Sequence, residues 1–294
     1  MPFLEDEASL SVLMGELCET SIPFHVVVVD DGSNVLPLKS NFFEQFNVSY
    51  TLISLVRNTG PQRAISVGIH YIKHHFNFQR LVVMDSDGED SPGNLPSLLG
   101  MSEGLGRDYD VIVVSRLSRH NSLRFKVLYN CYKALFRFLT GKSMDFGHFC
   151  VLSNEAVNRL VHYPQLWLHL GSTFYISRLR MFVIALPRNK RNFGNSKLSL
   201  VSLVNHGLRS LVALSERVIP RVLIGAVVNV LLVAALTILA AVSKVSLLLP
   251  LSLLILAVLI ILMVNLIMKL SVSEDSLVKA QGTYFDLIKS IASG

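Results

Sequence analysis

The stretch His25-Val-Val-Val-Val-Asp-Asp-Gly-Ser33, HVVVVDDGS, places four consecutive valines ahead of two acids and a glycine. An unbroken β-branched run leaves no polar side for water, so it reads as a strand covered on both faces. Tyr50-Thr-Leu-Ile-Ser-Leu-Val-Arg-Asn58 and Leu81-Val-Val-Met-Asp-Ser-Asp87 repeat the pattern, and Val111-Ile-Val-Val-Ser-Arg116 supplies another strand. Between the second and third runs, Gln62 to His74 carries Ala64, Ile65, Val67, Gly68, Tyr71 and Ile72 at helical spacing. Strands alternating with helices predict an α/β fold with a largely parallel sheet, in which ligands bind beyond the carboxyl ends of the strands. DDGS, RNTG and DSDGED all fall on that rim.

The acids of the rim ask for a partner. Asp85, Asp87, Glu89 and Asp90 lie within six residues, where close carboxylates repel unless a cation or a set of donors compensates. If strand geometry persists past Met84, Asp85, Asp87 and Glu89 recur at spacing two and form a hard oxygen set suited to Mg²⁺ or Mn²⁺. The other reading of the segment is a solvated loop with Asp90 leading into a helix start at Pro92. Asp30 and Asp31 can offer carboxylates to a base or a ribose, although D-G is also a common turn.

Composition points to lipid. The chain has 294 residues, 51% hydrophobic and 16% charged, and Val222 to Ser243 and Val245 to Met268 each lack a charged side chain. Each run is long enough to cross roughly 30 Å of hydrocarbon, so the sequence predicts a two-helix hairpin with Lys244 at its tip. A buried helical hairpin in a globular core is the alternative. Arg209, Arg217 and Arg221 before the first run and Lys269 after the second keep the N-terminal part cytosolic by the positive-inside rule. Asn121 to Lys142 is basic and amphipathic, which suits a helix in the headgroup region or one packed on the core. Cys18, Cys131 and Cys150 form no C-x-x-C pair, which argues against disulfides and zinc. The net charge of +6 fits anionic lipid headgroups; no stacking motif accompanies it to suggest nucleic acid.

Six ordered segments together resemble glycosyltransferase family 2, in particular the polyprenyl-phosphate glycosyltransferases related to dolichol-phosphate mannose synthase. They are VVVVDDGS (26–33), RNTGPQRAISVG (57–68), VVMDSDGEDSP (82–92), YDVIVVSR (109–116), DFGHFCVLS (145–153) and RNFGNSKLSL (191–200). The resemblance implies a GT-A-like nucleotide-binding domain over 1–218, a transmembrane hairpin over 219–270 and a cytosolic tail over 271–294. It implies inverting transfer of a sugar from a nucleoside diphosphate to a polyprenyl phosphate such as undecaprenyl phosphate, at the cytosolic face of the inner membrane.

Residue by residue, it places Asp30, Asp31, Ser33, Arg57, Arg63 and Asp85 at the nucleotide. It places Asp85, Asp87 and Glu89 at Mg²⁺ or Mn²⁺, and Arg116, Arg191, Ser196 and Lys197 at the acceptor phosphate. Two polyanions must be brought together, and arginine and lysine supply the opposing charge. Asp87, Asp145 and His148 are the catalytic candidates, with His148 or Asp145 as base if the acceptor is a saccharide or glycolipid hydroxyl. His148 and Cys150 depart from the commoner D-x-G-D-F-R-L, and Leu4 stands where an aromatic is usual. The strand expected ahead of Pro2 is missing, which leaves a non-catalytic membrane partner as a third reading. A homo-oligomer is compatible with the hairpin.

Overall fold

The computed structural model describes residues 1–104, 108–116, 123–187, 200–243 and 284–294, with positions 189, 191 and 193 and scattered helical residues between 251 and 266. Strand β1 (Pro2–Phe3) leads into helix α1 (Glu7–Glu19), whose first turn is capped by the Asp6 carboxylate accepting from the Ser9 N–H. Strand β2 (His25–Asp30) follows, and its valines divide by parity. Val26 and Val28 pack with Leu10, Leu13 and Met14 of α1, while Val27 and Val29 pack with Ala64 and Val67 from the opposite side. That two-sided burial is what an uninterrupted valine run demands.

Strand β3 (Ser49–Leu55) lies parallel to β2, and helix α2 (Pro61–His75) supplies the second cover. Proline at the first helical position and Lys73, His74 and His75 in the last turn suit the two ends of α2. Strand β4 (Arg80–Val83), helix α3 (Leu95–Gly104), strand β5 (Val111–Arg116), helix α4 (Leu123–Thr140) and strand β6 (Phe146–Ser153) come next. Helices α5 (Asn154–Leu160) and α6 (Leu170–Ile176), strand β7 (Met181–Leu186), helices α7 (Leu200–Ala213) and α8 (Ser215–Ser243) and strand β8 (Ile288–Ser293) complete the described elements.

The strands form two four-stranded sheets, β1-β2-β3-β8 and β4-β6-β5-β7. The expectation of a largely parallel sheet is corrected: β1, β2 and β3 run parallel, as do β5 and β7, but β8 is antiparallel to β3 and β6 is antiparallel to both β4 and β5. The strand expected to be missing is present as a two-residue stub. Pro2 and Phe3 pair with Val29 and Asp30, Phe3 is 1% exposed, and the Asp31 N–H donates to the Phe3 carbonyl at 2.9 Å. The ladder stops between β1 and β4, where Ser86 Oγ donates to the Pro2 carbonyl at 2.7 Å.

A second correction concerns the segment predicted as a tail. Residues 288–293 close the free edge of β3 with Ile291 opposite Ile53, so this strand belongs to the sheet rather than to a separate tail. Tyr284 lies 5% exposed against Trp167 and His70. An edge strand with unpaired backbone groups is stabilised by such a cover.

Helix α8 carries the first predicted membrane run and begins seven residues before it, at Ser215 rather than Val222. Ile224, Val227, Leu231, Ile238 and Val242 are exposed along it, and the helix is long and apolar enough to cross a membrane. Its base is anchored: Leu214 and Val218 pack with Phe136 of α4 and Leu211 of α7, and Arg221 Nη1 donates to the Leu139 carbonyl at the end of α4 at 2.9 Å. Lys244 and most of the second predicted run lie outside the described residues.

Candidate active site

Strand β4 ends at Val83, and the acids that follow sit on a tight turn with Gly88 at φ +77°. The expectation that strand geometry carries Asp85, Asp87 and Glu89 to one side is therefore corrected. The turn is held from within: the Asp85 N–H donates to Asp90 Oδ2 at 3.2 Å, and the Glu89 N–H donates to Asp87 Oδ1 at 3.1 Å. Asp90 is buried and acts inside the loop.

The compensating cation is Arg191. Its Nη2 donates to Asp87 Oδ2 at 2.5 Å and its Nε lies 3.5 Å from Glu89 Oε1. Burial, the largest single influence, works against the charged guanidinium, but the charges of Asp87, Glu89 and Asp6 outweigh it and hold Arg191 above its ordinary value. Asp85 faces a different group, with Oδ1 4.0 Å from His148 Nδ1.

Among the described residues no three acids or imidazoles converge as a ready-made metal cage. The donor chemistry still fits Mg²⁺ or Mn²⁺. These ions take hard oxygens and are usually bound by one or two carboxylates completed by phosphate oxygens and water, and Asp85 and Asp87 on one turn can supply that much. Arg191 shows that the turn attracts positive charge.

Asp30 and Asp31, whose carboxylates the resemblance puts at base and ribose, are held by donors of the rim loops. Both are 2% exposed. Asp30 accepts from the Ser33 and Leu38 N–H groups at 3.0 and 3.3 Å. Asp31 accepts from the Thr59 N–H at 2.7 Å, the Thr59 hydroxyl at 2.8 Å and the Gly60 N–H at 2.8 Å. A buried carboxylate needs donors, and here the two loops provide them. Burial pushes Asp31 above the usual carboxylate value, against the pull of Thr59 and Gly60. The loops touch because Gly32 has φ +72° and no side chain; a Cβ there would lie 2.3 Å from the Arg57 carbonyl carbon. Ser33 Oγ accepts from the Glu5 N–H, and Glu5 Oε1 accepts from Asn34 and Val35.

Around Gly60 three arginines gather. Burial lowers Arg63 from its ordinary value, and the charges of Arg209 and Arg57 lower it further while Asp31 opposes them. Sequence pattern marks Arg209 only as a charge flanking the membrane run; its spacing of three from His206 on α7 is the signal that joins it to the site. His206 meets His169, with Nε2 to Nε2 at 3.2 Å, and its ring lies 5.7 Å from that of His148. The Ser172 N–H donates to His169 Nδ1 at 3.1 Å, so neutral His169 carries its proton on Nε2 and donates to His206. Burial, with His206 and His148 adding to it, holds His169 well below the ordinary imidazole value.

Asp145 is brought to Lys133 of α4, its ion-pair partner, rather than to the acid turn. Arg116 closes β5, its backbone in register with Leu186. Ser196 and Lys197 lie outside the described residues.

The chain resembles known proteins over most of this framework. It is 28% identical over 220 residues to the undecaprenyl-phosphate 4-deoxy-4-formamido-L-arabinose transferase of Yersinia enterocolitica, covering 70% of this chain and 63% of that protein. It is 30% identical over 190 residues to the enzyme of the same name from Yersinia pestis, covering 62% and 55%. The chain thus spans less than two thirds of the length of these relatives. Among solved structures, glucosyl-3-phosphoglycerate synthase from Mycobacterium tuberculosis, in complex with Mn²⁺, uridine diphosphate and glucosyl-3-phosphoglycerate, superposes with a TM-score of 0.52 at 16% identity, covering 74% of this chain and 77% of that one. The same synthase in complex with phosphoglyceric acid gives the same score and coverage. The shared fold is the mixed α/β, GT-A-like fold of nucleotide-sugar transferases. The glycosyl transferase family 2 pattern matches residues 1–161, more than half of the sequence, and the chain belongs to that family.

Proposed function

We propose that this chain transfers a sugar from a nucleoside diphosphate sugar to the phosphate of a membrane polyprenol, with inversion at the anomeric carbon. The observation that carries the reading is a set of three features: an acid turn at the end of β4 that pairs with Arg191, an arginine group around Gly60 that includes Arg209 of α7, and an apolar helix rooted against α4 and the same α7. The similarity to undecaprenyl-phosphate sugar transferases supports the acceptor class.

In this reading Asp85 and Asp87 hold Mg²⁺ or Mn²⁺, which when bound neutralises charge on the departing nucleoside diphosphate. Arg57 and Arg63 face the diphosphate, and Asp30 and Asp31 shape the nucleotide side by fixing its loops. Arg191 serves the acceptor phosphate together with Arg116, Ser196 and Lys197. A phosphate oxygen is already ionised at neutral pH, so positioning carries most of the catalysis and no strong base is required. The helix α8 holds the site at the inner-membrane surface, with the catalytic domain in the cytosol.

The test supplies membranes containing the full chain with labelled nucleotide sugar, undecaprenyl phosphate and Mg²⁺ or Mn²⁺. A labelled lipid released by mild acid is expected, and Asp87→Ala abolishes it. No product from folded protein with UDP-, GDP- or other nucleotide sugars would sink the proposal. An acid-stable glycoside would instead favour a hydroxyl acceptor, for which His148 beside Asp85 is the base the geometry offers.

A further inference from the structure

Helix α7 leads into α8 through the single residue Leu214, and its register is fixed from several sides. Tyr132 OH and Ser210 Oγ lie 2.7 Å apart, Ser172 Oγ donates to the Ser210 carbonyl at 3.0 Å, and His169 meets His206 at 3.2 Å. Gly207 lets the Tyr132 ring lie against the helix, since a Cβ there would stand 2.8 Å from Tyr132 Cε2. These contacts deliver Arg209 to the rim, where its Nη1 lies 3.9 Å from the position a side chain on Gly60 would take.

Arg209 there joins Arg57 and Arg63. Among the described residues none of the three guanidinium groups has a hydrogen bond or an ion pair, and the nearby Asp31 carboxylate is held by Thr59 and Gly60. Like charges held together repel, and a phosphate group is the ligand that relieves them, through forked N–H donors and opposite charge. Arg57 and Arg63 flank Thr59 and Gly60, the loop residues that Asp31 holds, with Arg63 in the first turn of α2. Arg209 is the member carried by the element that continues into the apolar helix, which ties it to the membrane side of the cluster.

We propose that Arg209 binds the phosphate of the membrane acceptor, on the side of the arginine cluster next to α8. The assignment rests on the transferase reading above, and the shared chemistry, a phosphate, has two sources: the acceptor lipid and the donor diphosphate.

Direct binding separates them without requiring turnover. The full chain in detergent is titrated with farnesyl phosphate, with farnesol, and with UDP and GDP each in the presence of Mn²⁺. Arg209→Gln is expected to weaken farnesyl phosphate at least about tenfold, the loss of one charge-assisted forked contact, while farnesol and nucleotide binding stay within about twofold. Arg209→Lys, which keeps the charge without the fork, recovers part of the loss. Lys289→Gln, a basic change on the exposed β8, leaves farnesyl phosphate binding unchanged. Thermal midpoints check that the variants fold, and Arg209→Lys reads the same effect on a smaller scale if the glutamine variant does not.

Unchanged farnesyl phosphate binding in Arg209→Gln, or a tenfold loss confined to the nucleotide or shared equally by both, overturns the proposal. So does a wild-type chain that does not bind farnesyl phosphate. Failure of the transferase reading looks different: wild type yields no glycolipid, yet binds farnesyl phosphate in an Arg209-dependent way.

Discussion

Removing Arg191 should strengthen the binding of a divalent ion to the nucleotide-free protein. The guanidinium holds Asp87 at 2.5 Å and lies 3.5 Å from Glu89, with the three side chains only 15–21% exposed. At an effective dielectric of about 20, one unit pair at this range is worth roughly 4 kcal/mol before desolvation is counted. Hydrogen bonds to charged groups retain about 1.5–3 kcal/mol net, and partial exposure places this pair near the lower end. An ion that takes Asp87 must displace that contact, so its affinity is reduced by the same amount. In Arg191→Gln the penalty is gone, and since about 1.4 kcal/mol is tenfold, Mn²⁺ should bind roughly tenfold tighter. The assay is a Mn²⁺ titration followed by the electron paramagnetic resonance signal of the free ion, with the thermal midpoint in chelator falling for the same variant because two carboxylates then face each other unscreened. Glycolipid formation should fall as metal affinity rises, because the acceptor phosphate loses a donor. Equal or weaker Mn²⁺ binding in folded Arg191→Gln would refute the reasoning.

The buried imidazole gives a pH test. Unfolded chain protonates His169 near 6.5 whereas the folded protein keeps it neutral, so the unfolded state binds more protons in acid and stability falls as pH drops below about 6.5. The fall in urea midpoint between pH 7.5 and 5.5 should shrink in His169→Asn. At the other end of the molecule, Arg180 holds Asp110 below its usual value, chiefly by a side-chain hydrogen bond at 2.8 Å. That contribution is present above about pH 3.8 and is lost as pH falls through the lower folded value, so the deficit of Asp110→Asn at neutral pH should shrink progressively as pH falls below 3.8 in acid-denaturation curves. Gly207→Ala forces Tyr132 aside against its contact with Ser210 and should cost roughly 1–3 kcal/mol in the urea midpoint, with much of the cost removed when Tyr132→Leu is added.

The strands, the α2 helix and the first membrane run were legible because their signals are local. Val26 to Val29 needed cover on both faces wherever they were placed, and Val111 to Arg116 forms the strand its composition predicts. The ordered motifs also placed the acid turn and the RNTG loop on one rim. Less was legible in side-chain direction. Asp30 and Asp31 were readable as rim carboxylates, but their donors come from Leu38, Thr59 and Gly60, and only the packed loops show that the oxygens turn inward. Asp145 was readable as an acid near His148, but its partner Lys133 belongs to a different element.

The sequence by itself determined the α/β class, the family resemblance, the acid cluster after β4 and the apolar helix, since periodicity and composition act over a few neighbouring residues. Tertiary structure alone decided that β8 closes the edge of β3, that Arg191 meets Asp87 from 104 residues away, and that α7 brings Arg209 to Arg63. Those contacts join segments far apart in the chain, and which charges and edges meet is set by how the covered faces pack rather than by any local pattern.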